Sequence, residues 1–444
     1  MKSQRVTKKQ KRLIYIFRAL SVRIFAVIMV LGGLLGLIFF VRPDTSEVEK
    51  RTLTEFPKPT LSSLWNGEFF SDLSLWYSDT YPMRDQLIAA DHKLESAYGV
   101  KTSTMMVGNQ KQSDDIPDAD AKKASKKEEK QEVKEISAPD SRAMEAEIQN
   151  QIQDSLYVKD GAAYTIYYYD QNAADIYTTA LSKAAKELKG ETDVYSILVP
   201  NNSGAMLSEQ ELEDLGGADQ TQAIDYYYSL SDSVKTIDTI NTLRKHNDEY
   251  LYFRSDHHWT ALAAYYVYQN FCEEKGLEPN KLSDFEKMTF SPFLGTFYQK
   301  LQNADMAANP DSVDAYIPMA TNDMTYTDTD GTEVDWHVIE DVSTWNENSG
   351  YSCFIGGDKP LAVIENPDLD DGSSCVVVKE SYGNCFVPFL VDHYQTVYVI
   401  DFRYTQNNVM DFVKEHKVQD LIIMNNISII ASEDVATTIA GLLE

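Results

Sequence analysis

Three continuous apolar runs near the C-terminus constrain the fold of this chain more than any other feature: Cys375-Val376-Val377-Val378-Lys379, Thr396-Val397-Tyr398-Val399-Ile400 and Asp420-Leu421-Ile422-Ile423-Met424. Each precedes a polar turn, and helix-compatible sequence separates them. A strand that is apolar on both sides must be covered on both sides, which parallel strands joined through helices achieve. The same beat occurs earlier. Ala163 to Tyr168 and Val194 to Pro200 bracket a stretch from Ala174 to Leu188 in which Ile176, Ala180, Leu181, Ala184 and Leu188 share one helical face. The expected fold class is therefore α/β, a doubly wound and mostly parallel sheet.

Upstream, residues 24–41 form an uncharged run of eighteen residues, close to the length that crosses a bilayer as one helix. Lys2, Arg5, Lys8, Lys9, Lys11, Arg12, Arg18 and Arg23 precede it with no acid among them, which predicts a cytoplasmic tail over 1–23 and an extracellular remainder on a single-pass cell-membrane anchor. A cleaved signal peptide fits less well, because the run is too long and ends without a small-residue cleavage site. The whole chain carries −29, and its basic tail makes the outer part more acidic still, so nucleic acid and anionic lipid are poor partners for it.

Beyond the anchor, residues 42–107 read as a packed juxtamembrane stalk, with aromatic residues around Phe69-Phe70 and Trp76-Tyr77. Residues 108–144 are rich in Lys, Glu, Asp, Ser and Gln and hold no aromatic, so they are expected to form a disordered charged linker. The α/β domain then spans 145–444, with an irregular insertion at about 303–350, rich in Asp, Asn and Thr. Cys272, Cys353, Cys375 and Cys385 show no C-x-x-C spacing, which leaves room for at most one or two disulfides and no zinc ribbon.

Ligands of open α/β sheets sit beyond the carboxyl ends of the strands. The first candidate there is Asp256-His257-His258-Trp259, after the short apolar strand Leu251 to Phe253 and before a helix starting near Thr260. An Asp two residues before a His can hold its Nδ1–H and leave Nε2 as a base. The same residues can also ligate a metal or cap a helix. The second candidate is Ser381-Tyr382-Gly383 after 375–379, a serine at a sharp turn with backbone N–H groups placed to receive an oxyanion; a plain N-cap is the bland alternative. Asp401-Phe402-Arg403-Tyr404 and Asn425-Asn426 follow the next two strands and reach the same rim.

Asp256-His257-His258-Trp259 resembles the signature of the DHHW protein family of bacterial membrane-anchored proteins. Ser46 to Leu53 with Phe56-Pro57, Tyr81-Pro82-Met83-Arg84-Asp85, Phe293-Leu294-Gly295, Ser381-Tyr382-Gly383 and Asp401 to Tyr404 extend the likeness. That family is similar in turn to the SGNH hydrolase-like domains of alginate O-acetylation proteins, in which the Asp-x-His-Trp motif precedes the nucleophilic serine, a circularly permuted order. The resemblance implies a triad of Ser381, His258 and Asp256. It places Arg403 where the hydrolases have a glycine and Asn425 or Asn426 near their asparagine, and Glu380 stands where they have an aspartate.

Carried through, this gives a serine-dependent O-acyltransferase or esterase acting on cell-surface or secreted glycan. Tyr382, Arg403 and Asn425 would support the oxyanion, and Trp259 and Tyr404 would stack on a sugar. No cofactor and no metal are called for. The resemblance also implies a multi-pass membrane-bound O-acyltransferase as partner. A catalytically silent glycan-binding or scaffold protein of an acylation complex is the alternative, and a divalent-metal site at His257 and His258 a third reading.

Overall fold

The computed structural model describes residues 104–108, 113–119, 141–405 and 407–444, with scattered positions between 20 and 83. It divides into two units, 1–100 and 101–444. In the first unit Thr45–Ser46 pairs antiparallel with Arg51–Thr52. The Arg42 guanidinium lies 4.0 Å from the centre of the Trp76 ring and donates to Thr80 Oγ1 at 2.9 Å. Apart from Val27, the expected anchor at 24–41 lies outside the described residues, and none of the described helices is long and apolar enough to cross a membrane.

The second unit is built on an eight-stranded sheet. Its strands are β1 (Asp193–Val199), β2 (Lys235–Thr236), β3 (Asp323–Thr327), β4 (Glu333–His337), β5 (Leu361–Glu365), β6 (Ser374–Lys379), β7 (Thr396–Asp401) and β8 (Asp420–Asn426), in the order β4-β3-β5-β7-β6-β8-β1-β2. The five strands from β7 to β2 are parallel; β5, β3 and β4 add antiparallel at one edge. The sheet is therefore mixed, with the three runs that announced it lying side by side as β7, β6 and β8.

The pleat alternates side chains between two faces. Val376, Val378, Leu421 and Ile423 pack with helices α1 (Gln171–Glu187) and α4 (Glu433–Leu442). Cys375, Val377, Ile422 and Met424 face the opposite way, toward α2 (Ala261–Lys275). The helix α3 (Val409–His416) connects β7 to β8 and joins the first of these layers. Both faces are thus covered, as the continuous apolar runs require.

Two expectations are corrected. Ala162–Thr165 does not join the main sheet but pairs antiparallel with Ser155–Lys159, which also takes up Thr104–Gly108; the tight Asp160-Gly161 turn, with both residues at positive φ, folds it back locally. The stretch 303–350 is not irregular. Asp311–Ile317 pairs with Glu286–Phe293, and β3 and β4 extend the sheet, their exposed faces accounting for the polar composition. The four cysteines form no disulfide and are buried. Of the expected linker, Ser113 and Asp114 bond the domain, Ser113 Oγ accepting from Tyr169 N and Asp114 Oδ2 from Gln171 N. Ser141–Gln153 is helical, and 120–140 lie outside the described residues.

Candidate active site

Leu251 to Phe253, expected as a strand, makes a single bridge between Tyr252 and Trp259, closed by Thr260 N donating to Leu251 O. Asp256 and His257 sit at the tip of that loop. The loop is shaped from outside by Asp311, whose fully buried carboxylate accepts from Ser255 N at 2.8 Å, Ser255 Oγ at 2.6 Å and Arg254 Nε at 2.9 Å. Removing a buried carboxylate paired with a cation typically costs about 3–5 kcal/mol. Asp311→Ala should therefore lower the thermal midpoint sharply and Asp311→Asn less so, as read by circular dichroism.

Within the loop, Asp256 Oδ1 accepts from His258 N at 2.9 Å and lies 2.6 Å from His258 Nδ1. Its other oxygen accepts from Thr296 N at 2.8 Å and Thr296 Oγ1 at 3.1 Å. Burial alone would raise this carboxyl; electrostatic interaction with the His258 and His257 imidazoles and these hydrogen bonds outweigh it and hold the group far below the usual carboxylate range. His257 is pushed down to about 3, first by burial and then by the charge of His258.

The serine arrives from the other side. Ser381 opens a 3-10 turn, Ser381–Cys385, at the carboxyl end of β6. Glu380 caps that turn: one carboxylate oxygen accepts from Tyr382 N at 2.8 Å and the other from Asn426 N at 2.9 Å. Burial raises the Glu380 carboxyl, opposed by those two N–H groups. Ser381 Oγ lies 2.8 Å from His258 Nε2 and 3.3 Å from Glu380 Oε2. Asp256, His258 and Ser381 thus form one unbroken hydrogen-bonded chain, its second link joining residues 123 apart in sequence.

Two cross-links fix the halves together. Trp259 Nε1 donates to Tyr382 O at 2.9 Å, and the Tyr382 hydroxyl donates to His257 O. Tyr351 adds a third: its ring stacks on His258 at 3.8 Å and 12°, while its hydroxyl donates to Ser381 O at 2.9 Å. Nothing in the sequence singles out Tyr351, Asp311 or Thr296, which lie on distant segments. Gly295 carried only the family likeness.

The five supporting residues expected from sequence are engaged elsewhere. Tyr382 gives its N–H to Glu380. Trp259 is fully buried and packs near Tyr382, so it offers no face to a sugar. Arg403 is clamped by Asp401 at 2.8 and 2.7 Å and by Asp358 at 2.8 Å. Burial would lower its pKa, but the two carboxylates outweigh this and keep it charged and paired. The Tyr404 hydroxyl bonds Glu145. Asn425 points to the α1 face, where Tyr177 OH donates to its Oδ1 at 3.1 Å; its Nδ2 is buried there without a partner, away from the serine's layer. By the alternation of the pleat Asn426 points the opposite way, to the layer that holds Trp259 and Tyr382; its Nδ2 is buried without a partner.

Asp256, His257 and His258 also offer donor atoms within 4.8 Å of one another, the one such group of three or more among the described residues. Both ring nitrogens of His258 and both Asp256 oxygens are already hydrogen-bonded, so a cation would have to displace those contacts.

The class this defines is an α/β protein with a Ser–His–Asp chain at the carboxyl end of its parallel strands. The sequence matches the family described as DHHW protein over residues 49–155 and 128–400, and the chain belongs to that family. A DHHW family protein from Eubacterium siraeum is similar in structure, with a TM-score of 0.58 and 27% identity over 65% of this chain and 96% of that one. Bacillus cereus PatB1 shares the fold at a TM-score of 0.55 and 19% identity over 63% of this chain and 98% of its own. The same protein with a sulfonyl adduct matches at 0.53 and 18%, again over 63% and 98%. No curated protein matches the sequence.

Proposed function

We propose that the protein is a membrane-anchored, extracytoplasmic O-acyltransferase or esterase that works on cell-surface or secreted glycan through an acyl-enzyme on Ser381. The observation that carries this reading is the chain Asp256–His258–Ser381, with 2.6 and 2.8 Å at its two links. Asp256 holds the Nδ1–H tautomer, so His258 Nε2 takes the Ser381 proton as Oγ attacks an acyl carbonyl. His258 returns the proton to the leaving group, and an acceptor hydroxyl or water then releases the acyl group by the reverse sequence.

Among the described residues the Ser381 N–H makes no hydrogen bond. Together with Asn426 Nδ2, buried and unpaired, it is our assignment for the oxyanion donors, replacing Tyr382, Arg403 and Asn425. The apolar run at 24–41 and its basic flank support the anchor and its orientation. A multi-pass O-acyltransferase that delivers the acyl group is the partner we assign, from the family resemblance.

One observation favours the silent reading: Glu380 occupies the Tyr382 N–H, the donor beside the nucleophile, and sets a carboxylate 3.3 Å from Ser381 Oγ. Covalent labelling decides between the two. Bacillus cereus PatB1 has been seen with a sulfonyl adduct, so an arylsulfonyl fluoride and a fluorophosphonate are the probes of choice. Mass spectrometry should find one adduct, on Ser381. An unmodified Ser381 in folded protein, with no turnover of aryl acetates, would leave the scaffold reading in place.

A further inference from the structure

His257 has no part in the chain just described, yet it is built into the same loop. The tautomer follows from the network. Asp256 is an ionised acceptor, so the Thr296 hydroxyl, 3.1 Å from Asp256 Oδ2, donates its hydrogen there. That leaves Thr296 Oγ1 to accept from His257 Nδ1–H at 2.8 Å. A neutral imidazole protonated at Nδ1 carries a bare lone pair at Nε2. Depression of its pKa to about 3, first by burial, keeps the ring neutral at working pH.

The direction of that lone pair follows too. Both histidines turn their Nδ1 edges to Asp256 Oδ1, at 2.6 Å for His258 and 3.7 Å for His257, and their ring centres are 3.8 Å apart. Their Nε2 edges therefore lie side by side, away from Asp256. The Nε2 of His258 meets Ser381, whereas that of His257 makes no hydrogen bond among the described residues, in a ring only 5% exposed.

A single hydroxyl cannot satisfy both atoms, because it has one hydrogen. During transfer the acceptor O–H gives its proton to His258 Nε2 while its oxygen bonds the acyl carbon. The bond from that carbon to Ser381 Oγ then breaks, and Oγ takes the proton from His258. We propose that His257 Nε2 accepts a hydrogen bond from the hydroxyl adjacent to the one being acylated, so that the acceptor is a vicinal diol, as on a sugar ring, rather than an isolated alcohol. This rests on the acyl-transfer reading and gives that site its acceptor class.

The test partitions the acyl-enzyme, formed from an aryl acetate, between trans-1,2-cyclohexanediol and cyclohexanol. The wild-type protein should favour the diol by about tenfold, the worth of one hydrogen bond. His257→Asn keeps a donor toward Thr296 and lacks the distal acceptor; its acyl-enzyme, once formed, should lose the preference. Histidine ¹⁵N shifts at neutral pH should show His257 protonated at Nδ1 alone. Equal use of the two alcohols by the wild type, a preference surviving in His257→Asn, or the opposite tautomer would each overturn the inference while acyl transfer stands. Failure of the wild type to acylate Ser381 removes the acyl-transfer reading and this inference together.

Discussion

Ser381→Ala and His258→Ala should each lower acyl transfer by about 10⁶-fold, and the double variant should be no worse than either single one. The reason is that the two side chains act as one unit. Without the Nε2 acceptor at 2.8 Å the hydroxyl keeps its proton, and without the hydroxyl the base has nothing to activate. Asp256→Asn should cost about 10⁴-fold, since the geometry survives but the tautomer does not. Aryl ester turnover and acylation of an added sugar, with circular dichroism as the control for folding, measure these effects. Additive losses would mean that the residues act separately. Activity close to wild type in Ser381→Ala would end the acyl-enzyme reading, and loss on chelation, restored by a divalent ion, would move the chemistry to the Asp256-His257-His258 group.

What could be read from the sequence divides along a physical line. The parallel strands were legible because burial on both faces leaves a continuous apolar run, and β6, β7 and β8 fall where those runs lie. The antiparallel edge was not: β4 is half exposed, so its Glu333 to His337 reads like a loop. The pair Asp256 and His258 was legible because both ends of the contact lie within three residues. Ser381 was legible because a serine follows a buried strand at a turn. Their supports were not. Thr296 bonds Asp256 across 40 residues, and Tyr351 reaches Ser381 O across 30. Asn425 is taken up by Tyr177 on the α1 face for a reason of geometry. Position at a strand end fixes which rim a residue reaches but not which face of the pleat it takes, and Asn425 and Asn426 differ in that alone. Arg403 fails for another reason, since two aspartates, one nearby in sequence and one on a separate loop, had already claimed it.

Gly295→Ala should reduce activity by about 10⁴-fold, the loss expected when the carboxylate no longer orients the base. Its backbone is ordinary, with φ −84°, so strain is not the issue. Space is. A Cβ at this position would stand 2.2 Å from Asp256 Oδ2, 2.3 Å from its Cβ and 2.5 Å from its Cγ. Two responses are open. If the carboxylate swings away, the 2.6 Å contact with His258 Nδ1 is lost; if residues 295–296 withdraw, Asp256 loses Thr296 N and Oγ1, and Gly295 N leaves Ser255 Oγ. Either way Asp256 no longer holds the tautomer, and the crowding itself should cost about 1–3 kcal/mol of stability. Thr296→Val separates the two routes, because it removes only the hydroxyl and keeps the N–H to Asp256; it should cost far less. Adding Gly295→Ala to Asp256→Asn should then change turnover little, since the group it displaces has already lost its role. A Gly295→Ala protein that turns over aryl acetates like the wild type would show that Asp256 does not orient His258, and the phrase Phe293-Leu294-Gly295 would need a purely structural explanation.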